Sequence, residues 1–291
     1  MNLENQNKAQ ETEESVMAEE NEIVIKRRRG IYILPNLFTL AALFSGFYAV
    51  IAAMNSSFTI ASVAIFIAMI LDCLDGRVAR LINAQSAFGA ELDSLSDIVC
   101  FGVAPALMIY RLDIGFLQNT DIHLGKMAWL CSFIYMACVA LRLARFNIQT
   151  DEEPTPFSKR YFSGLPCPAP AGFLAGLVWL SDSYGWASLP MAIIFCGLLV
   201  ILAALQISNL RYRSFKDIDL NARVRFAAMV IILVAIVLIS WQPPEILCLI
   251  FLVYCFSGPF GWIWRASFNT EFKMGLKASL KTGLKKIKII K

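Results

Sequence analysis

Residues 58–105 read FTIASVAIFIAMILDCLDGRVARLINAQSAFGAELDSLSDIVCFGVAP, and the fold turns on this stretch. From Phe58 to Leu71 no residue is charged. The run reaches the roughly 20 residues of a bilayer-spanning helix only by continuing through Asp72, Asp75, Arg77 and Arg80. Glu91, Asp93 and Asp97 then open a second apolar segment. An ionised side chain at membrane depth costs at least about 2.5–3.5 kcal/mol, so these groups are expected to face a polar cavity and to mark function.

Their spacing is more informative than their number. Asp72, Asp75, Gly76, Ala79 and Arg80 stand at i, i+3, i+4, i+7 and i+8, which is one face of an α-helix. Gly89, Asp93 and Asp97 repeat every fourth residue, again on one face. A short connection around Asn83–Ala87 makes the two helices antiparallel neighbours, with the aspartates converging near one end of the pair. Buried salt bridges to Arg77 and Arg80 are one reading, but two arginines cannot neutralise four aspartates. Mutual repulsion is relieved by one or two divalent cations, and all-oxygen ligation favours Mg²⁺, Mn²⁺ or Ca²⁺ over zinc or copper. Paired hard cations beside an arginine suit a diphosphate-bearing substrate, while Gly76 and Gly89 let a bulky ligand approach the backbone. Intramembrane carboxylates also serve cation-coupled transporters, and spacing alone leaves that alternative open.

Composition points the same way. Apolar residues make up 58% of the 291 and charged residues 16%, with a mean hydropathy of +0.61. Soluble domains carry roughly 45–50% and about 25%, so lipid is expected to cover much of the surface. Of the eight cysteines only Cys167 sits in a polar connection; the others lie in apolar runs, where free Cys packs as a small hydrophobe. With no CxxC pair and a lone histidine, His123, a zinc or haem site and a His-dependent triad lack their residues. Nucleic acid is not an expected partner.

The expected fold is all-α, a polytopic transmembrane bundle. Apolar stretches fall near 33–54, 58–82, 91–110, 127–147, 169–181, 186–207, 225–241 and 245–264, giving eight helices of which the fifth is short. Residues 1–22 are polar and acidic and are expected to be a disordered tail, with no signal peptide. Residues 23–32 form a basic interfacial segment, 33–216 the catalytic transmembrane unit, 217–265 two additional helices, and 266–291 a basic tail suited to anionic lipid. With eight alternating helices, only Arg111 and Lys126 of the 26 basic residues fall on the outer side. The positive-inside rule then places both termini in the cytoplasm.

Asp72-x2-Asp75-Gly76-x2-Ala79-Arg80-x8-Gly89-x3-Asp93-x3-Asp97 resembles, at every fixed position, the motif of the CDP-alcohol phosphatidyltransferases. The resemblance spans roughly residues 31–216 and implies a core of six helices. It also implies a CMP-linked donor, bound through its diphosphate to a dinuclear Mn²⁺ or Mg²⁺ site, from which an alcohol displaces CMP. By that resemblance Asp72, Asp75, Asp93 and Asp97 are metal ligands, with Asp75 and Asp93 bridging and Asp97 doubling as general base. Gly76, Ala79, Arg80 and Gly89 line the pocket of the donor, CDP-diacylglycerol. The first helix adds Pro35-Asn36-x2-Thr39, a helix start in its plain reading; in the family such polar groups approach the cytidine, which makes Asn36 and Thr39 donor-binding candidates.

Three further segments, LRLARFN at 141–147, FSGLPCP at 162–168 and SNLRYRSFK at 208–216, resemble the branch of the family that uses L-serine. Arg142 and Arg145, one turn apart, are candidates to grip the serine carboxylate; the alternative is that they anchor the helix at the headgroups. A sister enzyme taking glycerol 3-phosphate, inositol phosphate or choline would want a denser basic pocket, which Lys159 and Arg160 could supply. The resemblance further implies a homodimer in the bacterial cytoplasmic membrane, with membrane lipid around it.

Overall fold

A backbone surrounded by lipid must satisfy its own hydrogen bonds, and a helix does this within one segment. The computed structural model describes residues 33–82, 86–117, 122–150, 161–186, 188–213 and 222–262, and nearly all of them are helical. α1 (Ile33–Met54) and α2 (Phe58–Leu81) form an antiparallel hairpin. α3 (Ala87–Asp97) runs through a π-helical turn (Ile98–Val103) into α4 (Ala104–Leu117). α5 (Ile122–Thr150), α6 (Pro168–Tyr184), α7 (Leu189–Ile207), α8 (Ala222–Trp241) and α9 (Pro243–Trp262) follow. The chain is a multi-pass helical membrane bundle.

Within the described residues each expected apolar stretch forms a helix, and six helices, against the eight spans expected, are long and apolar enough to cross a membrane: Leu34–Met54, Phe58–Leu81, Ala87–Leu112, Gly125–Ile148, Leu189–Ile207 and Pro243–Trp262. The fifth stretch is α6, which has 17 residues. At about 1.5 Å per residue it falls short of the hydrocarbon thickness of about 30 Å. Its sides are covered by protein: Ala169 through Gly176 are all buried. The seventh, α8, has 20 residues. One departure from an all-α chain is a small antiparallel ribbon, β1 (Tyr161–Ser163) with β2 (Arg211–Arg213), in which Phe162 pairs in register with Tyr212. The expected tails 1–22 and 266–291, the segment 23–32, and Lys159 and Arg160 lie outside the described residues.

Small residues let the helices approach closely, as packing within lipid requires. Ala49, Ala53, Ala61, Ala64 and Ala68 are buried between α1 and α2, where Ser45 donates to the Ala64 carbonyl at 2.8 Å. On α6, Gly172 and Gly176 make a small-xxx-small stripe that receives α9; a Cβ on Gly176 would stand 2.9 Å from Cys248 Cα. Tyr212 of the ribbon is buried against α9 as well, its hydroxyl donating to the Cys255 carbonyl at 3.0 Å over Gly258, where any side chain would overlap the ring. The opposite faces carry Phe44, Ile70, Leu233 and Phe260, all more than half exposed, as lipid-facing side chains must be.

Polar contacts sort the connections to two ends. At one end Arg111 donates to the Met54 carbonyl at 3.0 Å, Asp182 accepts from Thr59, and Tyr184 donates to Glu245 at 2.7 Å. At the other end lie the motif aspartates and the ribbon. Arg111, one of the two outer basic residues expected from the sequence, thus caps α1 at the end away from the aspartates.

Candidate active site

Two local features aim the aspartates. α3 begins at Ser86, whose hydroxyl accepts the Gly89 N–H at 3.0 Å, an N-cap that fixes the start of the helix. It ends at Asp97, where the π turn begins. Such turns recur at functional sites because they re-aim side chains and free backbone groups. Tyr135, fully buried on α5, donates to one carbonyl of the turn, Phe101, at 3.1 Å.

α2 and α3 bring Asp72, Asp75 and Asp93 together, with one carboxylate oxygen from each within 4.8 Å of the others. Asp97 completes the group from the next turn of α3, its carboxyl in hydrogen-bonding reach of Asp72. Asp75 is buried, and the other three are half-buried. Arg80 turns its Nε back to the Gly76 carbonyl at 2.8 Å, and among the described residues no ion pair joins it to the aspartates. The salt-bridge reading therefore has no counterpart here. Among the described residues Asp93 Oδ1 is buried without a hydrogen-bond partner, a costly position for a carboxylate oxygen that a bound cation would offset. A hard, all-oxygen donor set with one desolvated, unpaired oxygen fits a divalent metal ion.

The remaining donor-side candidates are distributed around this cluster. Thr39 is 4% exposed, and its hydroxyl has two acceptors in range, Asp75 Oδ2 at 2.7 Å and the Pro35 carbonyl at 3.2 Å. One hydroxyl proton serves one strong bond, and the shorter contact wins. The sequence made Thr39 a candidate for the nucleotide; in the fold its hydroxyl donates to Asp75. Gly89 faces Asn36: a Cβ there would lie 3.1 Å from Asn36 Oδ1, so the glycine lets α1 and α3 meet. Among the described residues nothing lies against Gly76, with Arg80 exposed and Ala79 half-buried beside it. Those residues leave α2 a face next to the aspartates that none of them covers.

Arg142 and Arg145 part company. Arg142 is half-buried, donates from Nη1 to Cys167 Sγ at 2.9 Å, and stands in electrostatic range of Asp97. Arg145 is exposed and donates to Asn209 Oδ1 at 2.9 Å and to the Ile207 carbonyl at 3.5 Å. Two more residues of this region were not anticipated. Asn147 donates to Ser94 Oγ at 3.1 Å, tying α5 to α3 one turn before Asp97. Cys167, wholly buried before α6, has its thiol pushed up to about 11 by burial against the pull of Arg142. Both lie inside the 141–147 and 162–168 segments, but nothing local to the sequence assigns them a contact.

The sequence model of the CDP-alcohol phosphatidyltransferases matches residues 32–202, which hold every site residue named above up to Cys167. The chain belongs to that family. A CDP-diacylglycerol–serine O-phosphatidyltransferase of Helicobacter pylori strain J99 is 36% identical over 233 residues, covering 80% of this chain and 92% of the relative. Enzymes of the same name from Mycobacterium leprae (32% over 238 residues, 81% of this chain and 76% of the relative) and Bacillus subtilis (33% over 183 residues, 63% and 91%) are also similar. As a CDP-alcohol phosphatidyltransferase, the chain carries its motif on α2 and α3, the helix pair that meets at the carboxylate cluster.

Proposed function

We propose that the chain transfers the phosphatidyl group of CDP-diacylglycerol to the hydroxyl of L-serine, giving phosphatidylserine and CMP in phospholipid biosynthesis. The observation that carries this reading is the convergence of Asp72, Asp75 and Asp93 where α2 meets α3, in a chain whose relatives bear that activity in their names.

Asp72, Asp75, Asp93 and Asp97 would hold two divalent ions, Mn²⁺ or Mg²⁺, which when bound supply positive charge for the donor diphosphate. Asn36, Gly76, Ala79, Arg80 and Gly89 border the donor, with Arg80 on a phosphate and Thr39 acting through Asp75. Asp97 accepts the proton of the serine hydroxyl as its oxygen forms a bond to the lipid-bearing phosphorus. The phosphorus–oxygen bond to CMP breaks, and CMP leaves with the charge that Arg80 helps to hold. Arg142, not Arg145, takes the serine carboxylate, because Arg142 stands in electrostatic range of Asp97 while Arg145 is engaged at Asn209. Residues 33–216 form the catalytic unit and α8 and α9 an addition to it. The protein works as a homodimer in the bacterial cytoplasmic membrane with both termini and the active site cytoplasmic, a topology supported by the distribution of its basic residues.

The test is a radiolabelled-acceptor assay on purified protein with CDP-diacylglycerol, comparing serine, glycerol 3-phosphate, inositol phosphate and choline. Serine alone should give labelled lipid. Labelling by another acceptor in its place would move the chain to a sister activity.

A further inference from the structure

We propose that Cys167 is a positioning residue for the acceptor, its thiol holding the Arg142 guanidinium so that one edge of the fork is presented beside Asp97. The proposal rests on the reading that Arg142 takes the serine carboxylate, and deepens it by saying which edge does so and what fixes it.

Cys167 is a fixed point. The loop that carries it leaves β1 through Gly164, whose φ of +84° places it in the left-handed region. A Cβ at Gly164 would overlap the Gln206 carbonyl oxygen, so the loop is pressed against the end of α7. Gly164 N–H donates to the Leu210 carbonyl at 2.9 Å and Leu165 N–H to the Leu205 carbonyl at 3.2 Å. Leu165 and Cys167 are both 0% exposed. The sulfur therefore sits on a buried loop that backbone bonds pin two and three residues before it, and the arginine comes to it.

The guanidinium is planar, with its donors in a rigid fork. Nη1 is committed to Cys167 Sγ. The side-on edge, Nε with Nη2, is what remains for a two-point contact with a carboxylate. Among the described residues Nε is buried and without a hydrogen-bond partner, so an acceptor on that edge would satisfy it. Asp97 is in electrostatic range of the same guanidinium. A small amino acid gripped side-on by Arg142 through its carboxylate thus carries its hydroxyl toward the carboxylate that would take the proton. An arginine free to rotate would present either edge, and the hydroxyl would lose its register.

The experiment uses the full chain in detergent or nanodiscs, with Cys167→Ala, Cys167→Ser, Arg142→Lys and the double variant Cys167→Ala/Arg142→Lys. Cys167→Ala should raise the serine KM about three- to tenfold, with the CDP-diacylglycerol KM unchanged. Cys167→Ser, which keeps an acceptor, should stay near wild type. The double variant should be no worse than Arg142→Lys alone, because the thiol acts only through the guanidinium. Thermal unfolding of each variant checks the fold, and the serine substitution covers the case in which alanine unfolds. An unchanged serine KM in Cys167→Ala, or a serine variant as impaired as the alanine one, overturns the positioning role while leaving Arg142 in place. An unchanged serine KM in Arg142→Lys overturns the carboxylate reading itself, and the positioning role with it.

Discussion

The Thr39 hydroxyl on α1 donates to Asp75 Oδ2 on α2 at 2.7 Å, across 36 residues of sequence, in a site where both side chains are buried. The bond leaves Asp75 with a fixed orientation and one oxygen still to offer. Partners of this kind, one step removed from a ligand, typically govern metal affinity by about 10–100-fold. Thr39→Val should therefore raise the Mn²⁺ or Mg²⁺ concentration needed for half-maximal activity by about that factor, and Thr39→Ser should not. A metal titration at saturating CDP-diacylglycerol measures it; a normal metal requirement with a raised donor KM would return Thr39 to the nucleotide.

Asp75→Asn and Asp93→Asn each remove one ligand charge from the cluster. Turnover should vanish in both while the protein still inserts and elutes as a folded species. EDTA should silence the wild type and Mn²⁺ or Mg²⁺ restore it. Full activity in the chelator would sink the metal-assisted reading.

Asp97 completes the carboxylate group from the next turn of α3 and stands in electrostatic range of Arg142, a position that suits a base for an acceptor held by that arginine. Asp97→Asn should lower kcat far more than it weakens CDP-diacylglycerol binding, since the other three aspartates remain. Equal losses in both would make Asp97 chiefly a binding ligand.

The two arginines should separate in the assay as they do in space. Arg142→Lys keeps the charge but loses the fork, and the serine KM should rise on the order of ten- to a hundredfold. Serinamide, lacking the carboxylate charge, should be a poor acceptor for wild type and suffer little further from the substitution. Arg145→Lys should leave the serine KM alone and lower stability instead, by about 1 kcal/mol for its contact with Asn209.

α9 docks where α6 has no side chains. Gly176→Leu would drive a side chain into Cys248 Cα, 2.9 Å from the first added carbon. Overpacking of this kind costs about 1–3 kcal/mol, and a thermal melt in detergent should show the midpoint fall by several degrees. An unchanged midpoint would mean that α9 is not held by this stripe.

Much of the site could be read from the sequence because it depends on one helical period. The order of Asp72, Asp75, Asp93 and Asp97 was visible as spacing, and the two faces met as the short connection requires. Length and apolarity likewise placed the helices, α6 included, although its 17 residues and its burial reflect neighbours that no local pattern records. The contacts that were not legible are all tertiary. Thr39 reaches Asp75 only because α1 and α2 pack along their alanines. Arg142 and Arg145 look alike in the sequence and differ only because Cys167 stands over one and Asn209 over the other. The π turn after Asp97 has no marker among Ile98–Val103; its partner, Tyr135, reaches the Phe101 carbonyl from another helix.

The slot on α9 that receives Tyr212 has a consequence for how the enzyme is made. A ribosome feeding the membrane delivers α1, α2 and α3 early and α9 near the end of the chain. All four aspartates are then lodged in the bilayer while the ribbon that leads to Cys167 still lacks the helix against which its tyrosine is bolted. The half of the site that would take the nucleotide is thus assembled first in time, and the half that would select the alcohol is locked last. An unfinished polypeptide has a place for the donor before it has a finished place for the acceptor.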